Sequence, residues 1–375
     1  MRTTFIHVHI NFHIIMSSTK TNRVQILKQN VGVDIAKLDF KASFWELRAD
    51  QSTQIKGSRT FNNNHTGFKH FLTWVTKKRK KAVADCSVQI TLEATGVYHE
   101  QLSHFLYDNA YRVNIILPNL GKAYARSLNL KSKTDKVDAS MLGRLGIERN
   151  LFEWKPASPN TLIIKQLCRD RVQILSTKTV ILNRMGALLS SYEPQSSAIK
   201  RMKQRLKLLE QQLKEVELEI ETAIKKDEIL SQKVDNICQI KGVGLITVAT
   251  IIAETNGFEL FTAREQVVSY AGYDVVQRQS GSSIKGKTKI SKKGNKFIRR
   301  ALYFPAICIV KYEPKFKQMY QRIVQKTNVK MVAYVAIQRK ILLLIYALFK
   351  SGKPYDPNYK EQKQNVKEKL KTAIA

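Results

Sequence analysis

Between Val24 and Leu47, apolar and polar residues alternate at the two-residue period of a strand. "VGVDI" rises into Asp34, and "LDFKASFWEL" reads as its outgoing partner. The pair predicts a hairpin that opens a sheet. Asn64 and Thr66 are candidate caps for a helix over "GFKHFLTWVTKK". "SVQITLEA" then sets Val88, Ile90 and Leu92 against Gln89, Thr91 and Glu93, which puts Glu93 at a strand end. "YHEQLSHFLYDNAY" predicts the next helix and "RVNIILP" the next strand. Strand and helix in alternation predict an α/β domain over residues 24–155.

The pattern changes in the middle of the chain. Helix formers dominate from about Thr161 to Leu189 and from Ser197 to Lys233, with "SYEPQSS" between them, so residues 156–233 are expected to be a helical segment. Met202, Leu206, Leu209, Leu213, Val216, Ile220 and Ala223 are spaced 4, 3, 4, 3, 4, 3, an apolar heptad seam. An antiparallel hairpin, an intermolecular coiled coil and an amphipathic helix packed on its own domain all satisfy that spacing. From residue 234 to 356 the text is again mostly helical, apart from a Lys/Arg-rich loop, and residues 357–375 read as a basic tail. The apolar start, "MRTTFIHVHINFHIIM", is broken by histidines and lacks a small-residue cleavage site. Residues 1–23 are therefore expected to be a disordered extension, with Met16 as the working start.

Composition narrows the partners. With 64 Lys plus Arg against 30 Asp plus Glu, the net charge is +34, and the basic residues recur along nearly the whole chain. A polyanion is the default partner, and nucleic acid fits better than a membrane surface. At 375 residues and 43% hydrophobic content the chain can bury a real core, which excludes a disordered basic protein. Cys86, Cys168, Cys238 and Cys308 lie too far apart for CxxC-type zinc ligation and show no disulfide framework, so a reducing cytoplasm is expected. No run reaches the roughly 18 uninterrupted apolar residues of a membrane span.

Against that charge, "KSKTDKVDAS" holds two aspartates three apart. If "DKVDASMLGRLG" is helical, Asp135 and Asp138 share a face and can reach one ion. Alone, such a pair among lysines is usually a solvated, salt-bridged surface. Asp34 and Glu93, each at a strand end, could converge on the same point. Four carboxylates would make a hard oxygen site for Mg²⁺ or Mn²⁺, able to hold a phosphodiester for in-line displacement. Lys131, Lys133 and Lys136 would draw the nucleic-acid backbone toward it.

A second candidate is "QRQSGSSIKGKTKISKKGNKFIRR", with eight basic residues and no acidic one between Ser280 and Arg300. Lys285, Lys287, Lys289, Lys292, Lys293, Lys296, Arg299 and Arg300 could neutralise phosphates. A serine there could attack phosphorus, or the serines could be only loop and phosphate contacts. Third, "IKGVGLITVATII" suits a helix-hairpin-helix in which Lys241, Gly242 and Gly244 hold a phosphate through backbone N–H groups. An ordinary glycine-containing helix connection fits the same text.

Taken together, "VGVDIAK", "LEATGVYHEQLSHFLYDNAYRVNIILPNLGKAYARS", "KTDKVDASMLGRL", "IKGVGLITVATIIAE", "YAGYDVVQRQSGSSIKGKTKISKKGNKFIRRALYFPA" and "SGKPYD" resemble the transposases of the insertion-sequence one-ten family, in order from about Val31 to Asp356. These are DEDD-type recombinases guided by a bridge RNA. The resemblance implies a ribonuclease-H-like (RuvC-like) N-terminal domain, a helical coiled-coil middle and a mostly α C-terminal transposase domain with a helix-hairpin-helix. It implies magnesium on Asp34, Glu93, Asp135 and Asp138, and a nucleophile at Ser280 of the "SGSS" motif that forms a covalent phosphoserine. It further implies donor and target DNA, a structured noncoding RNA, a homo-oligomer between dimer and tetramer, and a prokaryotic, nucleoid-associated setting. One departure stands out: where the family commonly carries "AGLTP"-like text before the serine, this chain has Tyr273-Asp274-Val275.

Two rival readings make distinct predictions. A hydrolytic, Holliday-junction-resolvase-like nuclease using only the four acids would tolerate Ser280→Ala. A non-enzymatic nucleic-acid packaging protein would be indifferent to Asp34→Asn.

Overall fold

The computed structural model describes residues 25–79, 88–94, 96–131, 134–259, 261–277, 279–280, 284–286 and 288–359, with backbone alone at 279–280 and 284–285. The expected extension 1–23 and the tail beyond residue 359 lie outside the described residues. The chain divides into two compact units, 1–156 and 157–375.

The first unit is built on β1 (Ile26–Ile35), β2 (Asp39–Arg48), β3 (Thr53–Asn62), β4 (Gln89–Glu93) and β5 (Arg112–Ile116), in the order β3-β2-β1-β4-β5. β1, β2 and β3 run antiparallel as successive hairpins, whereas β4 and β5 add in parallel to the other side of β1. Parallel addition needs crossovers, which α1 (His65–Lys78) and α2 (Glu100–Asp108) supply. This mixed sheet fits a ribonuclease-H-like domain.

β3 has no counterpart in the hydrophobic pattern. Of its residues only Phe61 is buried, because it is an edge strand whose lysine and arginine keep the open edge wet. Asn64 alone caps α1, accepting from the Gly67 amide at 2.9 Å, and Thr66 lies inside the helix. Phe40, Phe44, Phe61, Phe68, Phe71 and Trp74 fill the space between the sheet and α1, with ring centroids 5.4–6.2 Å apart.

The opposite face carries α4 (Asp135–Glu148), with α3 (Pro118–Ser127) beside it. Asn30, Gly32 and Asp34 share this face by the two-residue period, as do Thr91 and Glu93 on β4. α4 lies so close that a Cβ on Gly32 would sit 2.0 Å from the Gly143 amide nitrogen and 2.1 Å from the Ala139 carbonyl oxygen. Beneath it, Asn30 Nδ2 donates to Gly143 O at 2.8 Å and Thr91 Oγ1 donates to Asn30 Oδ1 at 3.0 Å. The polar face expected of β4 is thus buried at Thr91, and its hydrogen bonds are made internally.

In the second unit, α5 (Pro159–Leu189) and α6 (Ser196–Lys225) form an antiparallel hairpin. Lys178 pairs with Glu210 at 2.8 Å, Arg171 with Glu217 at 2.7 Å, and Asn160 donates to Ala223 O at 2.9 Å, so the contacts run in opposite chain order. The seam residues Met202, Leu206, Val216, Ile220 and Ala223 are buried within this one chain. The helix expected to continue to Lys233 stops at Lys225, because the Asp227 side chain caps a new helix, α7 (Glu228–Cys238). α8 (Leu245–Glu254), α9 (Arg264–Ala271), α10 (Lys296–Ala301), α11 (Tyr303–Tyr312), α12 (Pro314–Thr327) and α13 (Lys330–Ser351) complete the unit.

By length and hydropathy α13 could cross a membrane, but its Ala333, Ile337, Ile341 and Ile345 are fully buried at four-residue spacing among the other helices. Cys168, Cys238 and Cys308 are free thiols.

The segment read as a basic loop is instead a β arm. β6 (Val275–Val276) pairs antiparallel with β9 (Lys289–Ile290), and β7 (Gln279–Ser280) with β8 (Ile284–Lys285). Lys289 of β9 is exposed, and Val276 and Ile290 are half-buried.

Candidate active site

The ends of β1 and β4 and the start of α4 bring the four predicted acids together. Asp34 sits one residue beyond Val33, which pairs with Leu92, and Glu93 is the next residue on β4. Asp135 and Asp138 occupy the first turn of α4, whose Thr134 side chain accepts from the Val137 amide. The positive end of that helix favours carboxylates there. Gly121 of α3 lies against Glu93: a Cβ there would come 2.6 Å from Glu93 Oε2.

The crowding shows in the ionisation of Asp34. Burial first, then the Asp138, Asp135 and Glu93 carboxylates, push its pKa from the ordinary 3.8 to about 6, with Lys41 pulling the other way. Lys41 is the cross-strand partner of Asp34, and its Nζ lies 2.6 Å from Asp135 Oδ2. That hydrogen bond raises the lysine's own pKa. The sequence pattern did not single out Lys41, which reads as one more outward position of an alternating strand.

Four carboxylates are the donor set that hard divalent cations prefer, and the excess negative charge that raises Asp34 is what such a cation would relieve. Among the described residues no three acids close to coordinating distance as they stand. The acids are within electrostatic reach of one another but not drawn into a shell. Their chemistry fits a divalent ion.

Ser280 lies in the second unit, where its backbone pairs with Ile284 between β7 and β8. Lys289, Lys292, Lys293, Lys296 and Arg300 are exposed around its root, Lys131 is exposed just ahead of α4, and Lys133 and Lys287 fall outside the described residues. Arg299 turns inward, its Nη1 donating to Ala271 O at 2.8 Å and Asn295 O at 3.3 Å. Lys241 is exposed, Gly242 takes φ +93° against Cys308 and Ile309, and Gly244 caps α8 with open space around it.

The root of the arm is fixed by a buried glutamate that sequence reading missed. Glu254, 3% exposed, receives Arg169 Nε at 2.7 Å and Nη2 at 3.0 Å, and Asn295 Nδ2 at 2.7 Å. Asn295 Oδ1 in turn accepts from the Phe297 and Ile298 amides that start α10. The available signal was a lone acid ending the apolar run "LITVATIIAE".

Comparison with known proteins follows the same division. Residues 31–194 match the model of DEDD-type IS110 transposases, and residues 234–321 match that of the transposase IS116/IS110/IS902 family. The chain belongs to the IS110 family of transposases. This transposase is 29% identical over 343 residues to the pilin gene-inverting protein of Moraxella bovis, covering 89% of this chain and 99% of that one. The Moraxella lacunata protein of the same name matches to the same extent. Among solved structures, T. thermophilus RuvC in complex with a Holliday junction substrate aligns over 34% of the transposase and 99% of its own length, at 7% identity and a TM-score of 0.25. The transposase is an enzyme acting on DNA.

Proposed function

We propose that this transposase cuts and rejoins DNA through a covalent phosphoserine, using Asp34, Glu93, Asp135 and Asp138 to hold Mg²⁺ or Mn²⁺ and Ser280 as nucleophile. The observation that carries the reading is the convergence of the four acids, drawn from β1, β4 and α4, where burial first and the neighbouring carboxylates second lift the Asp34 pKa to about 6. When bound, a divalent cation would supply Lewis-acid stabilisation of charge on the phosphodiester.

The chain's own residues do the rest. Ser280 Oγ bonds to phosphorus while the bond from phosphorus to the departing strand's oxygen breaks, and that strand leaves as a hydroxyl after taking up a proton. The serine's own proton passes to solvent or a nearby base. Rejoining reverses the exchange: a hydroxyl from another strand attacks the phosphoserine, and the serine recovers its proton. No phosphodiester is lost, so no external energy source is needed. The cations at the root of the arm bind flanking phosphates.

Support for Ser280 lies in its "SGSS" setting and the cations that follow it. The acids and Ser280 belong to separate units, which agrees with a homo-oligomer, dimer to tetramer, in which one subunit's serine completes another's acids. A structured RNA that pairs with donor and target DNA accounts for part of the excess positive charge and leaves sequence choice to base pairing. The pilin gene-inverting relatives suit the same cut-and-rejoin chemistry applied to an inversion.

The test is an adduct trap. Labelled DNA substrate, guide RNA and Mg²⁺ are incubated with the protein and resolved under denaturing conditions. Wild type should give a protein–DNA band, and Ser280→Ala should give neither band nor rejoined product while still binding DNA. If Ser280→Ala cleaves normally, the hydrolytic nuclease reading takes its place.

A further inference from the structure

The α5–α6 hairpin carries its charge in two blocks. From Ser196 to Leu209, α6 holds Lys200, Arg201, Lys203, Arg205 and Lys207 with no acid, whereas from Glu210 to Lys225 it holds five glutamates against two lysines. The two blocks are treated differently by the fold. In the acidic block, Glu210 pairs with Lys178, Glu217 with Arg171 and Glu221 with Lys225. All five cations of the distal block are exposed, and none has an ion-pair partner among the described residues. Arg184, near the end of α5, is exposed as well.

Like charges packed along one helix without counter-ions repel and weaken that helix. The facing stretch of α5, from Thr179 to Leu189, holds no acid that could pair with them. The distal charge is therefore left for something outside the chain.

The surface there is shaped. A groove of about 600 Å³ runs along the hairpin's distal end, lined by Leu189, Ile199, Lys200, Lys203, Gln204 and Lys207. Lys200, Lys203 and Lys207 sit at i, i+3 and i+7, hence on one face, and span about 10 Å of helix. That length matches roughly three phosphates along one strand of a duplex, at about 3.4 Å of axial rise each.

We infer that the distal end of the α5–α6 hairpin is a binding site for the phosphate backbone of duplex DNA, separate from the acidic centre and from the basic arm. Duplex DNA is the occupant because the enzyme acts on DNA and the site presents a row of cations spaced along one helix face. A second copy of the hairpin is a poorer occupant. Most of the acidic block's charge is already paired within its own chain, which leaves little to attract another copy's cations.

The experiment uses the full-length protein and a duplex DNA of defined sequence, with affinity measured across a range of KCl concentrations. Each phosphate contact contributes about −0.9 to the slope of log K against log [salt]. The triple variant K200Q/K203Q/K207Q should make that slope shallower by about 2 to 3 units. K200R/K203R/K207R should restore it, and E215Q/E219Q should leave it unchanged.

Glutamine is a good helix former, so unchanged circular dichroism is expected. Should the triple variant fail to fold, K203Q alone should make the slope shallower by about one unit. An unchanged slope, a loss of duplex RNA binding with DNA binding intact, or a change of oligomeric state as the only effect would each overturn the proposal. Binding is read without turnover, so the result stands or falls independently of Ser280.

Discussion

Gly32 links the fold to the acidic centre most directly, and Gly32→Ala tests that link. The new methyl carbon would lie 2.0 Å from the Gly143 nitrogen, 2.1 Å from the Ala139 oxygen and 2.6 Å from the Gly143 α-carbon, where ordinary contact begins near 3.4 Å. All three are backbone atoms, so no side chain can swing aside, and α4 has to lift by about 1.4 Å. Overpacking of this kind costs about 1–3 kcal/mol. The lift also stretches the buried Asn30-to-Gly143 hydrogen bond, adding about 1–3 kcal/mol for polar groups left unsatisfied. A combined loss of about 2–6 kcal/mol lowers the melting temperature of the first unit by roughly 4–24 °C, at about 2–4 °C per kcal/mol for a domain of this size. Because α4 carries Asp135 and Asp138, the same movement separates them from Asp34 and Glu93. A misplacement of about 1 Å at a catalytic centre costs on the order of a hundred-fold in rate. Differential scanning fluorimetry and metal-dependent strand cleavage on the same preparation provide the assay. If Gly32→Ala melts within a degree of wild type and cleaves at its rate, then α4 is not held by this contact and the account of the acidic centre fails.

Asp34→Asn removes one charge from a repulsive cluster. It should raise the melting temperature of the metal-free protein at pH 7.5 while abolishing both cleavage and the stabilisation that added Mn²⁺ gives wild type. The pH dependence has a definite sign: with a folded pKa of about 6 against an unfolded 3.8, the native state holds the extra proton in that window. Ionising Asp34 therefore costs stability as pH rises toward 6, and metal affinity, measured by calorimetry, should fall as pH drops through 6. Arg169→Met strips the bidentate partner from the buried Glu254 carboxylate and should cost about 2–4 kcal/mol in urea unfolding, a loss that Arg169→Met with Glu254→Met largely recovers. Gly186→Ala meets nothing within 4 Å on α5 and should stabilise the hairpin by about 0.5–1 kcal/mol, visible as a raised melting temperature of the second unit.

What could be read ahead of the structure follows from where periodicity is strong. β1, β2, β4, α1 and α4 carry clear two- or 3.6-residue patterns, and the acids stand at their ends. β3 escaped because an edge strand with one buried side chain has almost no apolar signature. The α6–α7 break escaped because a single capping aspartate interrupts an otherwise continuous helical composition. Lys41 and the Arg169–Glu254 pair escaped for another reason: they join residues far apart in sequence, or on neighbouring strands, and no local pattern marks which of many charges will be turned inward. The Ser280 arm was hidden because glycine, serine and lysine suit a flexible loop and a two-residue ladder equally well.

The alternation of Asn30, Gly32 and Asp34 along one face of β1 has a consequence for quality control. A strand that paired one residue out of step would turn all three to the other side at once. The molecule would lose the seat for α4, the polar layer that satisfies it and the carboxylate it serves in a single error. Misassembled chains would then be unstable and open to proteolysis, so they would not accumulate as folded but inactive protein competing for DNA.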